Sequence, residues 1–495
     1  MNTPPSAAIA PINSLIPQPA QVQPASGQFI LAANVSISPG SSSPELIRLA
    51  GCLASQIQSA AGLLLPLSID PSGPSSPSIF LDLDEHAIPA GQEAYRLEIA
   101  PQSVRLSASQ PAGLFYAIQS LLQLLPLAAD TAGSWVLPAG IITDQPRYAW
   151  RGFMLDVARH FFSVADVKRL IDLLAAYKLN RLHLHLSDDQ GWRLMINAWP
   201  ELALTGGRTA IGNDPGGYYT QADYSELVEY AAQRFITVVP EIDLPGHTHA
   251  ALVAYPFLSC DGQPRQPYFG GEVGFSSLCV SQESTYAFLE DVIREIAAIT
   301  PGPYIHIGGD EAEATQPDDY RRFIERVQDI VAAAGKRMVG WEETAQARLS
   351  PSSIPQVWNG KHIQAVLGQP GKSILSPANK TYLDMKYTPE TSLGLKWAGY
   401  IEVRDAYDWD PAGMVAGLDD QAILGIEAPL WSETLRTLQD IEQMAFPRLL
   451  ALAEVAWSPQ SARAWDHFST RLAYHGPRLA ARGVNFYRSP QVNWI

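Results

Sequence analysis

Residues 151–189, RGFMLDVARHFFSVADVKRLIDLLAAYKLNRLHLHLSDD, decide the fold. A short apolar run, Phe153–Val157, leads into an amphipathic stretch that opens at Ser163, a good N-cap with Asp166 three residues on. A second apolar run, Leu182–Leu186, follows it. Strand, helix, strand with no hairpin turn between them is the rhythm of a parallel sheet. Working outward, the rhythm continues with Ile236–Glu241, Tyr304–Gly308, Met338–Trp341, Ile354–Trp358, Ser373–Leu375 and Ile423–Glu427, eight runs in all. Helical patterns begin at Thr220, near Ser284, at Pro317 and near Leu435. Eight such alternations predict an α/β protein built as a (β/α)8 TIM barrel, with a doubly wound open sheet as the alternative.

The part before residue 147 has a different character. It is rich in Pro and Ser (SPGSSSPE, PSGPSSPS) and contains no Lys. Ser78–Leu83, Ala94–Ile99 and Ser103–Ser107 read as strands, and Pro111 opens a helix with Leu114, Ile118, Leu121 and Leu125 on one stripe. The expected organisation is a small α+β domain over 1–147 and a catalytic barrel with C-terminal helices over 148–495.

The chain of 495 residues carries Lys+Arg 34 against Asp+Glu 50, a net charge of −16, with 46 % hydrophobic residues. That is enough apolar material for a large core, and it excludes wholesale disorder. The acidity, with no cluster of Lys or Arg, argues against nucleic acid and anionic membranes as partners. No apolar run approaches the roughly 18 residues of a membrane span. The start, MNTPPSAAIAPINSL, has no basic n-region, the first Lys or Arg being Arg48, so it does not read as a complete signal peptide. Three cysteines, Cys52, Cys260 and Cys279, are too few for a disulfide scaffold or a cysteine-based zinc site. Cys260 and Cys279 bracket a Gly/Pro-rich stretch, and both a loop-closing disulfide and two reduced buried thiols fit it.

In a barrel the chemistry sits where strands pass into the following loops. Reading there gives Asp156 and Arg159, then Asp188 and Asp189, then Glu241, Asp243 and His247, then Asp310 and Glu311. The remaining ends give Trp341 with Glu342, Trp358, Tyr382 with Asp384, and Glu427, Trp431 and Glu433. Carboxylates fork onto vicinal hydroxyls and indole faces stack on the C–H face of a pyranose, so this set points to sugar recognition. The sharpest element is His306-Ile-Gly-Gly-Asp-Glu311. Its two glycines let the backbone approach a ligand, and its paired carboxylates are the equipment of glycoside hydrolysis. A second reading competes: His183 and His185 lie two apart on a strand, hence on one face, and with His247 and Asp188 they would suit a metal-dependent hydrolase. No HExxH or cysteine ligand supports it, and the expectation is that the protein needs no metal and no cofactor.

The segments RGFMLDVARHFF, KLNRLHLHLSDDQGWR, VVPEIDLPGHTHAAL, YIHIGGDEA, LSPANKTYLDMKY and APLWSETL resemble the β-N-acetylhexosaminidases of glycoside hydrolase family 20, above all the bacterial exo-acting ones. The resemblance runs from Arg151 to the C-terminal FYRSPQ, and the preceding region resembles the family's small N-terminal domain. It implies retaining hydrolysis in which the 2-acetamido group of the substrate is the nucleophile, the family being an exception to the two-carboxylate scheme. By the same resemblance Glu311 is the general acid and base, Asp310 holds the acetamido N–H, Tyr382 orients its oxygen, and Asp188 and His247 form a relay behind the acid. Trp341, Trp358 and Trp431 would enclose the acetamido methyl. Arg159, Asp384 and Glu433 would hold hydroxyls, and Trp397 would stack on the leaving sugar. Cys260 and Cys279 fall where bacterial relatives carry a disulfide. The implied substrate is an oligosaccharide ending in β-linked N-acetylglucosamine or N-acetylgalactosamine, a disaccharide-releasing enzyme of the same family being the alternative.

Overall fold

The computed structural model describes residues 11–68, 77–84, 91–130 and 133–495. Most of the Pro- and Ser-rich stretch PSGPSSPS, 71–78, lies outside the described residues. Two compact units are present: one holds the chain up to Arg147 with Ala176–Lys178 and Ala453–Ile495, the other Tyr148–Ala175 and Leu179–Leu452. Helix Trp465–Ala481 thus falls in the first unit, where the sequence reading grouped everything from 148 onward.

The first unit contains a six-stranded sheet in the order β1-β6-β4-β5-β3-β2. Its strands are β1 (Gln21–Leu31), β2 (Ser36–Pro39), β3 (Ser78–Leu83), β4 (Tyr95–Ala100), β5 (Ser103–Ala108) and β6 (Trp135–Asp144). Helices α1 (Pro44–Ala61) and α2 (Pro111–Leu124) pack against it. Both helices start with Pro in the first turn, where its missing N–H costs nothing, and α1 ends on Gly62 at φ 70°. At the end of β6 the buried Asp144 receives the Tyr95 hydroxyl at 2.6 Å and the Trp457 indole N–H at 2.9 Å, with Lys178 Nζ 3.1 Å away.

The second unit is a closed parallel barrel, which settles the choice against the open sheet. Its eight strands are β7 (Trp150–Asp156), β8 (Arg181–His185), β11 (Thr237–Glu241), β12 (Tyr304–His306), β13 (Arg337–Trp341), β14 (Ile354–Val357), β15 (Ser373–Leu375) and β16 (Ile423–Leu430). A short pair, β9 (Ser187–Asp188) and β10 (Gly191–Trp192), follows β8. α3 (Val164–Ala176) begins at the expected cap: the Asp166 amide donates to Ser163 Oγ at 3.3 Å and the Ser163 amide to Asp166 Oδ2 at 3.0 Å. Side chains alternate along a strand, so residues two apart share a face, and this stacks the barrel interior in layers. Trp150, Val239, Tyr304, Val339, Ile354 and Ile374 form an apolar layer. Two residues further on, Glu241, His306, Trp341 and Gln356 make the next layer polar, joined by His183 and Glu427.

Two buried arginines pin the loops above the strands. Arg193 donates to the carbonyls of Val157, Ala158, Gly207, Thr209 and Gly217 at 2.5–3.1 Å. Arg448 donates to those of Leu383, Met385, Ile401 and Met444 at 2.6–3.0 Å, its guanidinium 3.7 Å over the Tyr387 ring. The first fixes the backbone just before Arg159, the second the backbone around Tyr382 and Asp384. Replacing a fork of donors by an apolar chain leaves several buried carbonyls without partners. Arg448→Met is therefore expected to lower unfolding free energy by about 3–5 kcal/mol in urea titration. Arg448→Lys should recover only a small part of that loss, because one ammonium cannot reach all four carbonyls.

Candidate active site

Asp156, the last residue of β7, caps the loop that it opens: Oδ1 accepts the amides of Ala158 and Arg159 at 2.8 and 3.0 Å, and Oδ2 that of Ser432 at 3.0 Å. Arg159 is thereby held with Nη2 2.7 Å from Asp188 Oδ2, Nε donating to Gln190 Oε1 at 3.1 Å, and its guanidinium 4.9 Å over the Trp431 ring. Asp188 also faces His185 Nε2 at 2.8 Å and His247 Nδ1 at 3.2 Å. Burial opposes its ionised form, but the charges of Arg159 and then His247 hold its carboxyl well below the usual range. His247 in turn is held well above the ordinary imidazole value, Asp188 and then Asp243 outweighing burial. Its Nε2 lies 3.4 Å from Glu311 Oε2 and 3.8 Å from Asp310 Oδ2. Both His247 and Glu311 sit at positive φ, 52° and 46°. Such backbone is costly for a side chain with a Cβ and gathers where geometry is functionally fixed.

The Gly-Gly turn delivers the carboxylates. Gly308 and Gly309 have φ of 65° and 97°, and a Cβ on Gly308 would stand 1.8 Å from Asp243 Oδ1. That oxygen receives the Gly309 amide at 3.1 Å. Asp310 is 8 % exposed, while the side chain of Glu311 is 33 % exposed. Burial pushes Asp310 up to about 6, with the Glu311 charge adding to it and His247 opposing. Burial and then the Asp310 charge also hold Asp243 well above the carboxylate range.

Beside Asp310 stands an aromatic enclosure. Trp341 and Trp431 have ring centroids 6.0 Å apart, Tyr382 and Trp431 6.4 Å, and Trp358 stacks with Tyr382 at 6.4 Å and 21°. Burial, followed by the charges of Asp310 and Asp384, keeps the Tyr382 hydroxyl protonated, hence a donor. Trp358 Nε1 lies 3.2 Å from both oxygens of Glu343, whose carboxyl burial and the Asp310 charge push up to about 8. Trp397 is edge-on to Tyr382 at 5.5 Å and 54 % exposed. Asp384 Oδ1 and Oδ2, Glu433 Oε2 and Asp310 Oδ1 are buried without a side-chain partner among the described residues. Buried acceptors of that kind are what a ligand's hydroxyl and amide donors satisfy.

All the expected site residues on the barrel stand at the carboxyl ends of its strands or in the loops that follow them. Cys260 and Cys279 form a disulfide, and Cys52 lies outside it, its Sγ accepting from Gln56 Nε2 at 3.1 Å. The loop it closes reaches the site, Ser276 Oγ donating to Asp189 Oδ1 at 2.5 Å and Gln190 Nε2 to the Gly270 carbonyl at 2.8 Å. Gln190, Ser276 and Glu343 were not singled out from the sequence; nothing in their spacing distinguishes them from ordinary loop residues. The metal reading is not favoured. Both nitrogens of His185 face carboxylates, Glu241 at 2.5 Å and Asp188 at 2.8 Å, and the ring is held well above the ordinary imidazole value against burial. An imidazole protonated at both nitrogens has no lone pair for a metal.

A closed barrel with paired carboxylates, an aromatic enclosure and buried hydroxyl acceptors at its carboxyl face defines a glycoside hydrolase. Family models agree: glycosyl hydrolase family 20, catalytic domain, matches residues 148–320 and 317–460, and domain 2 of the same family matches 13–145. The chain belongs to glycosyl hydrolase family 20 and is an enzyme of its β-N-acetylhexosaminidase group. A β-N-acetylhexosaminidase of Cellulomonas fimi is 42 % identical over 97 % of this chain and 97 % of its own length. The family 20 β-N-acetylhexosaminidase of Streptomyces coelicolor superposes with a TM-score of 0.94 at 48 % identity, covering 98 % of this chain and 99 % of that one. A mutant β-hexosaminidase of Streptomyces plicatus, solved with its product GlcNAc, gives 0.93 at 48 % identity, covering 98 % of both chains.

The turn yields a direct test. In Gly308→Ala the new methyl meets both positive φ and the Asp243 carboxylate. A loss of about 2–4 kcal/mol in urea unfolding is expected, and an unchanged midpoint would refute this account of the turn.

Proposed function

We propose that this protein is a retaining exo-β-N-acetylhexosaminidase. It releases terminal, non-reducing β-linked N-acetylglucosamine or N-acetylgalactosamine, with the acetamido oxygen of the substrate as nucleophile. The observation that carries this reading is the juxtaposition of a buried Asp310, its neighbour Glu311 at the mouth, and the enclosure of Trp341, Trp358, Tyr382 and Trp431. The enclosure suits a methyl group, and Asp310 beside it suits an amide N–H. The GlcNAc held by the Streptomyces plicatus relative supports the same sugar here.

In the proposed first step Glu311 gives its proton to the glycosidic oxygen as the bond to the anomeric carbon breaks. The acetamido oxygen bonds to that carbon and an oxazolinium ion forms. The Asp310 carboxylate accepts the N–H and balances the positive charge that develops on the ring. Tyr382 donates to the acetamido oxygen and aims it at the anomeric carbon, a proximity effect. Glu311 then takes a proton from water, the water oxygen bonds to the anomeric carbon from the face the leaving group left, and the acetamido group is restored. His247, backed by Asp188, supports both proton transfers of Glu311. Arg159, Asp384 and Glu433 hold the outer hydroxyls and close the far side of the terminal sugar, which makes the action exo. Trp397 offers its exposed face to the leaving sugar.

On a chromogenic β-N-acetylglucosaminide, Asp310→Asn and Glu311→Gln are expected to lose at least about a hundredfold in kcat. EDTA should have no effect, and the plain β-glucoside should not be cleaved. Equal cleavage of the plain glucoside would mean a protein nucleophile and would sink the assignment of Asp310.

The pH profile provides a second check. Asp310 acts as an anion and its carboxyl is pushed up to about 6. It is therefore protonated below that pH, and kcat/KM should fall as pH drops through about 6. The residual activity of Asp310→Asn should lack that limb.

A further inference from the structure

Beneath the groups that the proposed reaction uses lies Glu241, the last residue of β11, with 0 % exposure. Its two oxygens face different parts of the site. Oε2 receives His185 Nδ1 at 2.5 Å, and the other ring nitrogen of His185 reaches Asp188 at 2.8 Å. Oε1 receives Trp341 Nε1 at 3.1 Å. His183 Nε2 lies 2.9 Å from Oε2, while His306 Nδ1, 2.9 Å from Oε1, accepts the Gly308 amide at 3.0 Å.

We propose that Glu241 is a positioning residue that fixes the acetamido enclosure and the relay behind the acid at once. The inference rests on the function proposed above and deepens it. An indole has a single N–H, so the acceptor of that N–H sets the ring's angle, and Trp341 bears on Trp431 at 6.0 Å. His185 is tied at both nitrogens, so its place sets that of Asp188, and Asp188 orients both Arg159 and His247. A carboxylate is rigid and planar, so its two oxygens cannot shift independently. The enclosure and the relay are thereby held in one register.

Glu427 shows that such a carboxylate need not do this. It is equally buried and receives His183 Nδ1 at 2.8 Å, Trp150 Nε1 at 2.9 Å and Gln356 Nε2 at 2.9 Å. None of these partners is Trp341 or His185. It is the natural comparison for a carboxylate that only balances charge in the core.

Glu241→Gln keeps the shape but puts an amide NH2 where one of the two donors needs an acceptor. The test is steady-state kinetics on two substrate series, with Tm recorded for every variant. In the first, β-N-acetylglucosaminides carry a good or a poor leaving group, which grades the demand on the acid. In the second, the N-acyl group is acetyl or propanoyl, which grades the fit of the enclosure. Glu241→Gln is expected to lose about tenfold more kcat/KM on the poor leaving group than on the good one. Its preference for acetyl over propanoyl should shrink about fivefold. Glu427→Gln should keep both ratios as in the wild type.

A uniform loss on all substrates, or equal shifts in Glu427→Gln, would reduce Glu241 to core packing and overturn the proposal. Should Glu241→Gln not fold, the two halves are tested apart. Trp341→Phe should move the acyl ratio more than the leaving-group ratio, and His185→Asn, whose ring also lies 4.9 Å from that of Trp431, the leaving-group ratio more than the acyl ratio; the reverse pattern also overturns the proposal. Failure of the underlying reading is distinguishable, because a wild type that cleaves the plain glucoside has no acetamido dependence to perturb.

Discussion

A carboxylate withdrawn from water inside a barrel stays ionised only where donors surround it, and that requirement organises the polar layer of this barrel. Glu241, Glu427 and Asp188 are almost wholly buried, and each is met by imidazole, indole, amide or guanidinium N–H groups. Isolated charges there would cost several kcal/mol each, whereas alternation of carboxylate and imidazole lets both stay ionised. The alternation forms a continuous path from Glu241 through His185 and Asp188 to His247, which ends beside Glu311. An ordinary apolar core would have filled the same space without reaching the chemistry.

The apolar layer beneath makes this affordable. Trp150, Val239, Tyr304, Val339, Ile354 and Ile374 fill the barrel where no function is needed and hold the strands in register. Period-2 alternation then carries the same strands from that layer to Glu241, His306, Trp341 and Gln356. The loops above are secured differently, by guanidinium forks on backbone carbonyls. Arg193 serves the Arg159 side and Arg448 the side of Tyr382 and Asp384. A loop held through its main chain presents its side chains to a ligand without using them for its own support.

Much of this was legible beforehand. The eight apolar runs lie within a few residues of the eight barrel strands, the Ser163 cap stands where the sequence puts it, and a helix begins at Thr220 as its pattern predicts. The runs could be read because strands buried on both faces are continuous in Val, Ile and Leu. α1 does carry a regular stripe of Leu46, Leu49, Ala50, Leu53 and Ile57 that the sequence reading passes over, whereas β1 gives little signal because its residues are mostly exposed. Within the site, Asp310 and Glu311 announce themselves by the glycines before them. Glu343, Gln190 and Ser276 have no such neighbours. The roles of Arg193 and Arg448 were equally hidden, since a buried arginine on carbonyls reads like a surface one.

The sequence by itself determined the eight strand–helix alternations and the family, because both are written in local periodicity and short motifs; closure into a barrel rather than an open sheet came from the tertiary structure. Only the tertiary structure decided which of the two oxygens of Glu241 meets His185 and which meets Trp341, residues 56 and 100 positions away. It likewise decided that burial lifts Asp310 to about 6 while Asp188, across the His247 ring from it, stays low. The reason is physical: ionisation depends on distance to other charges and to water, and neither distance is encoded in the spacing of residues along a chain.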